Sequence, residues 1–161
     1  MKELLEKLSS YNIFNYLFPG IIFSLIASKI SELNLIQSDY MIGVFMYYFV
    51  GLIISRLGSL VIEPMLKKVN FLKFAKYEDF VNVAEKDRKL EILSETNNMY
   101  RTIIAMFLLL ILVKIYFLIA SKWTLLNDYW NCLLIGLLLI MFVFSYRKQT
   151  NYITKRIKSS K

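Results

Sequence analysis

The sequence predicts an all-α membrane protein with four transmembrane helices, an N-terminal interfacial helix and a helical cytoplasmic loop. Three observations lead there. Mean hydropathy is +0.50 and 57% of the 161 residues are hydrophobic, above the roughly 45–50% apolar content of soluble chains. The apolar residues gather in four blocks, 13–30, 41–62, 102–120 and 129–146, each near the about 20 residues of helix that a bilayer core needs. Lys and Arg are also divided unevenly among the segments between those blocks.

Residues 1–10 place Leu4, Leu5 and Leu8 among Lys and Glu, a helical spacing with one apolar face that suits the membrane surface. The run Tyr11-Asn12-Ile13-Phe14-Asn15-Tyr16-Leu17-Phe18-Pro19-Gly20 follows. Its aromatic residues favour the interface, and Pro-Gly inside a span predicts a bend or a break. The first block is expected to stay in the protein, because it lacks a small-residue cleavage site of the secretory kind.

The second block carries Gly51, Ser55 and Ser59 at four-residue intervals with Gly58 beside them, a stripe that permits close helix packing. Its partner is another helix of the same chain or a second protomer. Pro64 is expected to mark the exit of this span. In the loop 63–100, Phe71, Phe74, Tyr77 and Val81 recur at helical spacing among charged residues, which predicts a cytoplasmic helix or helical hairpin offering an apolar face to a protein partner. Asn97 or Asn98 is the expected cap of the third span. The tail 147–161 is short, basic and weakly amphipathic. With no linker or repeat, residues 1–161 read as one membrane domain.

Orientation follows from the cations. Two precede the first block, eight lie between the second and third, six follow the fourth, and only Lys29 and Lys122 fall on the opposite side. The positive-inside rule then puts both termini and the 63–100 loop in the cytoplasm. The net charge of +8 is assigned to this topology and to anionic inner-leaflet lipids in preference to a nucleic-acid surface. One cysteine, Cys132, and no histidine exclude a disulfide within the chain and a His or multi-Cys metal site. No nucleotide-binding glycine loop, zinc-protease helix or nucleophile elbow is present, so neither catalysis nor a cofactor is expected.

Arg56 and Lys114 lie inside apolar blocks, where an ionised group is costly. Arg56 falls seven residues before Glu63, on about the same helix face, and is read as snorkelling to headgroups or as pairing with that carboxylate. For Lys114 the candidate partners are Asp39, Asp128 and Glu32, or a water-filled path between protomers. Asn12, Asn15 and Asn131 are expected to bond to water or backbone, and Cys132 to act as a small apolar residue.

The run from Tyr11 to Gly20, together with Ser94-Glu95-Thr96-Asn97-Asn98-Met99-Tyr100-Arg101, resembles short bacterial multi-pass membrane proteins of the kind found in phage-defence loci. The resemblance implies an effector, or a membrane subunit beside a soluble sensor, and brings no catalytic or ligand residue with it. Combined with the packing stripe and the two intramembrane cations, the expectation is a non-enzymatic inner-membrane protein. It would form a homo-oligomer and perturb or gate the membrane under a cytoplasmic partner, in bacterial antiviral defence. The alternatives are a scaffold that recruits a soluble effector to the inner leaflet and a transport accessory subunit.

Overall fold

The computed structural model describes residues 10–84, 86–122 and 129–159. The expected interfacial helix at 1–10 and the Lys114 candidate Asp128 therefore lie outside the described residues, apart from Ser10. Among the described residues, five helices of more than one turn carry the fold: α1 (Ile13–Ile30), α2 (Tyr40–Lys68), α3 (Tyr77–Ala84), α4 (Arg88–Ala120) and α5 (Trp130–Ser159). No strand occurs among the described residues. All except α3 are long and apolar enough to cross a membrane.

A single turn, Ser10–Asn12, leads into α1, whose first five residues, Ile13–Leu17, wind as a π-helix. Pro19 is the cause. Proline has no N–H to donate, and in a regular α-helix its ring collides with the carbonyl four residues earlier. Widening the turn relieves that collision, and the Phe18 N–H donates instead to the Ile13 carbonyl. The same arrangement recurs in α2, where Gly58–Ile62 is π-helical, the Glu63 N–H donates to the Gly58 carbonyl and Pro64 follows. Neither proline breaks its helix. Pro-Gly is absorbed within α1, and α2 runs past Pro64 to Lys68 instead of ending there.

Asp39 starts α2 by accepting from the backbone N–H groups of Met41 and Ile42 at 2.8 and 2.9 Å. Asn70 stops it. With φ of 57° it takes the left-handed conformation, which Asn tolerates better than most residues. Its N–H donates to Lys67 and the Phe71 N–H to Leu66, closing a Schellman motif. This stop breaks the periodicity read from 71 to 81. Residues 72–76 are non-helical, so Phe71 and Phe74 do not share a helix with Tyr77 and Val81.

The cap expected at Asn97 or Asn98 is replaced by Asp87, whose carboxylate accepts from the Lys89 N–H at 2.9 Å. No Gly or Pro occurs from 88 to 120, so nothing interrupts the helix before the apolar block begins, and both asparagines sit mid-helix. The tail likewise continues α5 to Ser159, with Arg156 and Lys158 in its last turn where cations favour the helix dipole.

The core is built by three helices. Phe23 and Ala27 of α1, Ile54 of α2, and Ala105, Met106 and Leu110 of α4 form one buried cluster. The fourth long helix, α5, stands outside it and buries only Met141 and Ser145. It is attached by Phe142 stacked on Phe49 at 6.2 Å between ring centroids, by Trp130 against Tyr116 at 4.3 Å, and by Lys148 at the opposite end.

Candidate functional site

α1 and α2 meet through a reciprocal pair of glycines. A Cβ on Gly51 would overlap the Tyr16 carbonyl, and one on Gly20 would overlap the Tyr47 carbonyl. Each glycine therefore lets the other helix's backbone come into contact, and the pairing runs antiparallel. The remaining small residues of the stripe meet different helices. Ser55 faces Asn15 and Thr102, a Cβ on Gly58 would lie 3.2 Å from both Ala105 Cβ and the Arg101 carbonyl oxygen, and Ser59 accepts from Lys148. All four residues thus contact helices of their own chain.

Beside this crossing lies a polar cluster sealed inside the bundle. Asn15, Ser55 and Thr102 are 1%, 4% and 0% exposed. The Asn15 amide N–H donates to Ser55 Oγ at 3.3 Å and to the Tyr11 hydroxyl at 3.2 Å, while Thr102 Oγ1 donates to Asn15 Oδ1 at 2.8 Å. Thr102 Oγ1 also lies 3.2 Å from Ser55 Oγ and 2.9 Å from the Asn98 carbonyl. Hydroxyls rotate to suit their neighbours, and a Ser55 proton directed at Thr102 closes a ring of three donors and three acceptors. Asn15, expected to bond to water or backbone, instead ties α1 to α2 and α4. Burial pushes the Tyr11 phenol above its ordinary range, so it stays a neutral hydroxyl.

About two helical turns further along α2, Glu63 is 7% exposed. Its carboxylate accepts from Lys67 at 2.8 Å and Arg101 at 2.6 Å, and Lys148 lies 3.9 Å away. Three helices therefore converge on one acid. Lys148 also donates to the carbonyl and hydroxyl of Ser59 at 2.6 and 2.7 Å, which fixes α5 to α2. The Arg56 pair considered from sequence is not formed. Although Arg56 shares the helix face, Glu63 is already engaged by Lys67 and Arg101, and among the described residues Arg56 has no acidic partner.

These groups border a cavity of about 780 Å³ that opens at this end of the bundle, with walls from every helix. Tyr77 and Tyr152 line it with ring centroids 6.0 Å apart, and Phe74 adds an apolar wall carrying the Lys67 ammonium 4.0 Å above its ring.

At the opposite end Lys114 donates to the Ile30 carbonyl at 2.9 Å. It caps the C-terminus of α1, where carbonyls lack helical partners. Of the acids considered for it, Asp39 is occupied as the α2 cap and Glu32 is exposed. Of the four residues expected to meet a partner, Val81 is buried at 1% exposure and Tyr77 packs near Tyr152, whereas Phe71 and Phe74 are exposed. Cys132 and Asn131 are exposed on α5.

Sequence reasoning overlooked Arg101, Thr102 and Lys148. The available signal was the position of Arg101-Thr102 at the head of an apolar block, facing a lone acid at the same end of another block. The chain matches no family model, no curated protein and no solved structure.

Proposed function

We propose that the chain is a non-enzymatic multi-pass protein of a bacterial inner membrane, with both termini and the Glu63 end in the cytoplasm. It assembles with further copies and alters membrane permeability when a cytoplasmic factor engages it, in antiviral defence. The observation that supports this is the attachment of α5, a 30-residue helix that buries only Met141 and Ser145 in its own chain. In lipid no hydrophobic force holds one apolar helix to another, so such a helix exchanges lipid for a neighbouring protomer at small net cost. The three-helix core stays fixed while the apolar part of α5, away from the Lys148 anchor on Ser59, repacks.

The test uses the native thiol. Cys132 is exposed on α5, as are Leu133, Leu134 and Ile135, and cysteines at these four positions in turn sample one whole helical turn. Oxidative crosslinking in native membranes is expected to yield a dimer at one or two of them. Absence of a dimer at every position removes assembly through α5. Absence of ion flux from liposomes holding the protein and its cytoplasmic partner removes the permeability reading.

The exposure of Phe71 and Phe74, at 75% and 51%, favours a second reading in which this end docks a soluble effector. Phe71→Ser with Phe74→Ser should then release that effector from the membrane while flux is unaffected.

A further inference from the structure

The cavity at the Glu63 end is lined by four cationic side chains, Arg56, Lys67, Arg101 and Lys155, and by one acidic one. Glu63 is saturated by Lys67, Arg101 and the nearby Lys148. Among the described residues, neither Arg56 nor Lys155 has an acidic partner. Arg101 uses one terminal nitrogen on Glu63, but its Nε is buried without any acceptor. The lining cations thus exceed the lining acid by three around a cavity open at one end, and one guanidinium N–H beside it lacks the partner its burial requires.

We propose that this cavity is an anion site for a phosphate-bearing group, either the headgroup of an anionic phospholipid or a free phosphorylated small molecule. Guanidinium groups match phosphate geometry through paired N–H donors; Arg56 brings such a group from α2, and Arg101 adds positive charge from α4. A volume of about 780 Å³ falls within the range that takes a whole small ligand. The rings of Tyr77 and Tyr152, tilted 35° to one another, supply an aromatic wall for the part of the ligand that is not phosphate. Because Lys155 and Tyr152 belong to α5, Arg56 to α2 and Arg101 to α4, an occupant bridges the loosely held helix to the fixed core. Occupancy would then regulate the repacking of α5, a consequence that rests on the function proposed above, whereas binding itself does not.

The full chain in phosphatidylcholine nanodiscs is titrated with dioctanoyl phosphatidylglycerol and, separately, with inorganic pyrophosphate, with binding read by native mass spectrometry and by the shift in Tm. Arg56→Gln and Lys155→Gln are each expected to weaken binding by about fivefold to tenfold, the scale of one charge-assisted hydrogen bond. Unliganded Tm should hold, since neither residue has an acidic partner to lose. Binding of the lipid without competition from pyrophosphate assigns the site to a headgroup, and binding or competition by pyrophosphate assigns it to a free ligand. Binding of neither probe, or equal affinity in wild type and both variants, overturns the proposal. Flux is measured on the same preparations: binding without flux leaves the site standing and removes the gating role, while flux without binding removes the site alone.

Discussion

Gly51 rests directly on the backbone carbonyl of Tyr16, with no room for a side-chain carbon between the two helices. Gly20 stands in the same relation to Tyr47. Backbones this close gain dispersion contacts and weak Cα–H hydrogen bonds, the forces left to hold helices together when both surroundings are apolar.

Gly51→Leu or Gly20→Leu must therefore push α1 off α2. Each is expected to destabilise by about 3 kcal/mol or more, seen as a large loss of Tm in detergent or nanodiscs. Gly136 is the internal control, since a Cβ there meets nothing within 4 Å. Gly136→Ala should be neutral or gain up to about 1 kcal/mol from helix propensity. Equal losses at 51 and 136 would contradict the reciprocal crossing.

Thr102→Val preserves shape but removes the hydroxyl that donates to Asn15 Oδ1. A loss of about 1 kcal/mol is expected from the unsatisfied amide. Asn15→Leu on the same background should cost less than it does alone, because its partner has already gone. A double-mutant cycle by denaturation that gives strictly additive losses would show that the two side chains do not interact.

Removing the acid from the charged cluster is more damaging than removing a base. Glu63→Gln leaves Lys67, Arg101 and Lys148 facing one another, and the expected loss is about 2–4 kcal/mol, below the full cost of a sealed pair because Arg101 is one-fifth exposed. Adding Arg101→Gln should restore part of it. A double variant no more stable than Glu63→Gln alone would argue that the cluster is not coupled.

Lys114→Met keeps the apolar stem and deletes the ammonium that caps Ile30. A fall in Tm of a few degrees is expected for loss of one exposed cap, with ion selectivity unchanged. Altered selectivity in liposome flux would instead mean that Lys114 faces a conducting path in the assembly.

Sidedness is tested on a Cys132→Ala background, where an introduced Leu35→Cys should react with an impermeant thiol reagent added outside the cell and Lys86→Cys should not. The reverse pattern reverses the proposed topology and with it the cytoplasmic placement of the cavity.

The helices were legible as apolar blocks because lipid demands length and hydrophobicity together. Their ends were not legible from the same signal. An apolar block measures what meets lipid, whereas a helix continues until a residue such as Asn70 stops it, so Arg88 to Arg101 and Arg147 to Ser159 were helical without being apolar. The site was harder still. Asn15 and Thr102 sit 87 residues apart, and no pattern along the chain announces that their faces meet. Arg101 and Lys148 each looked like one more cation of the inner side, since the positive-inside rule counts such residues and does not distinguish them. Lys114 drew notice for its charge, but its partner is a backbone carbonyl, which every residue possesses.

The two π-helical segments make angular phase a property of chain length. Each wide turn accommodates one residue more than an α-turn, and the helix beyond it is rotated by about 100° relative to an uninterrupted α-helix. Without the widening in Gly58–Ile62, Glu63 would point away from Arg101 while Gly51 and Ser55 kept their places. Substitution at an outward position there, such as Val61 at 44% exposure, leaves that phase untouched. Deletion of the same residue removes the one that the wide turn accommodates, so the turn closes to α geometry with the carboxylate still in phase, whereas insertion of a further residue swings it out of the cluster. This stretch should therefore tolerate many changes of residue type and the loss of one residue, but not the gain of one.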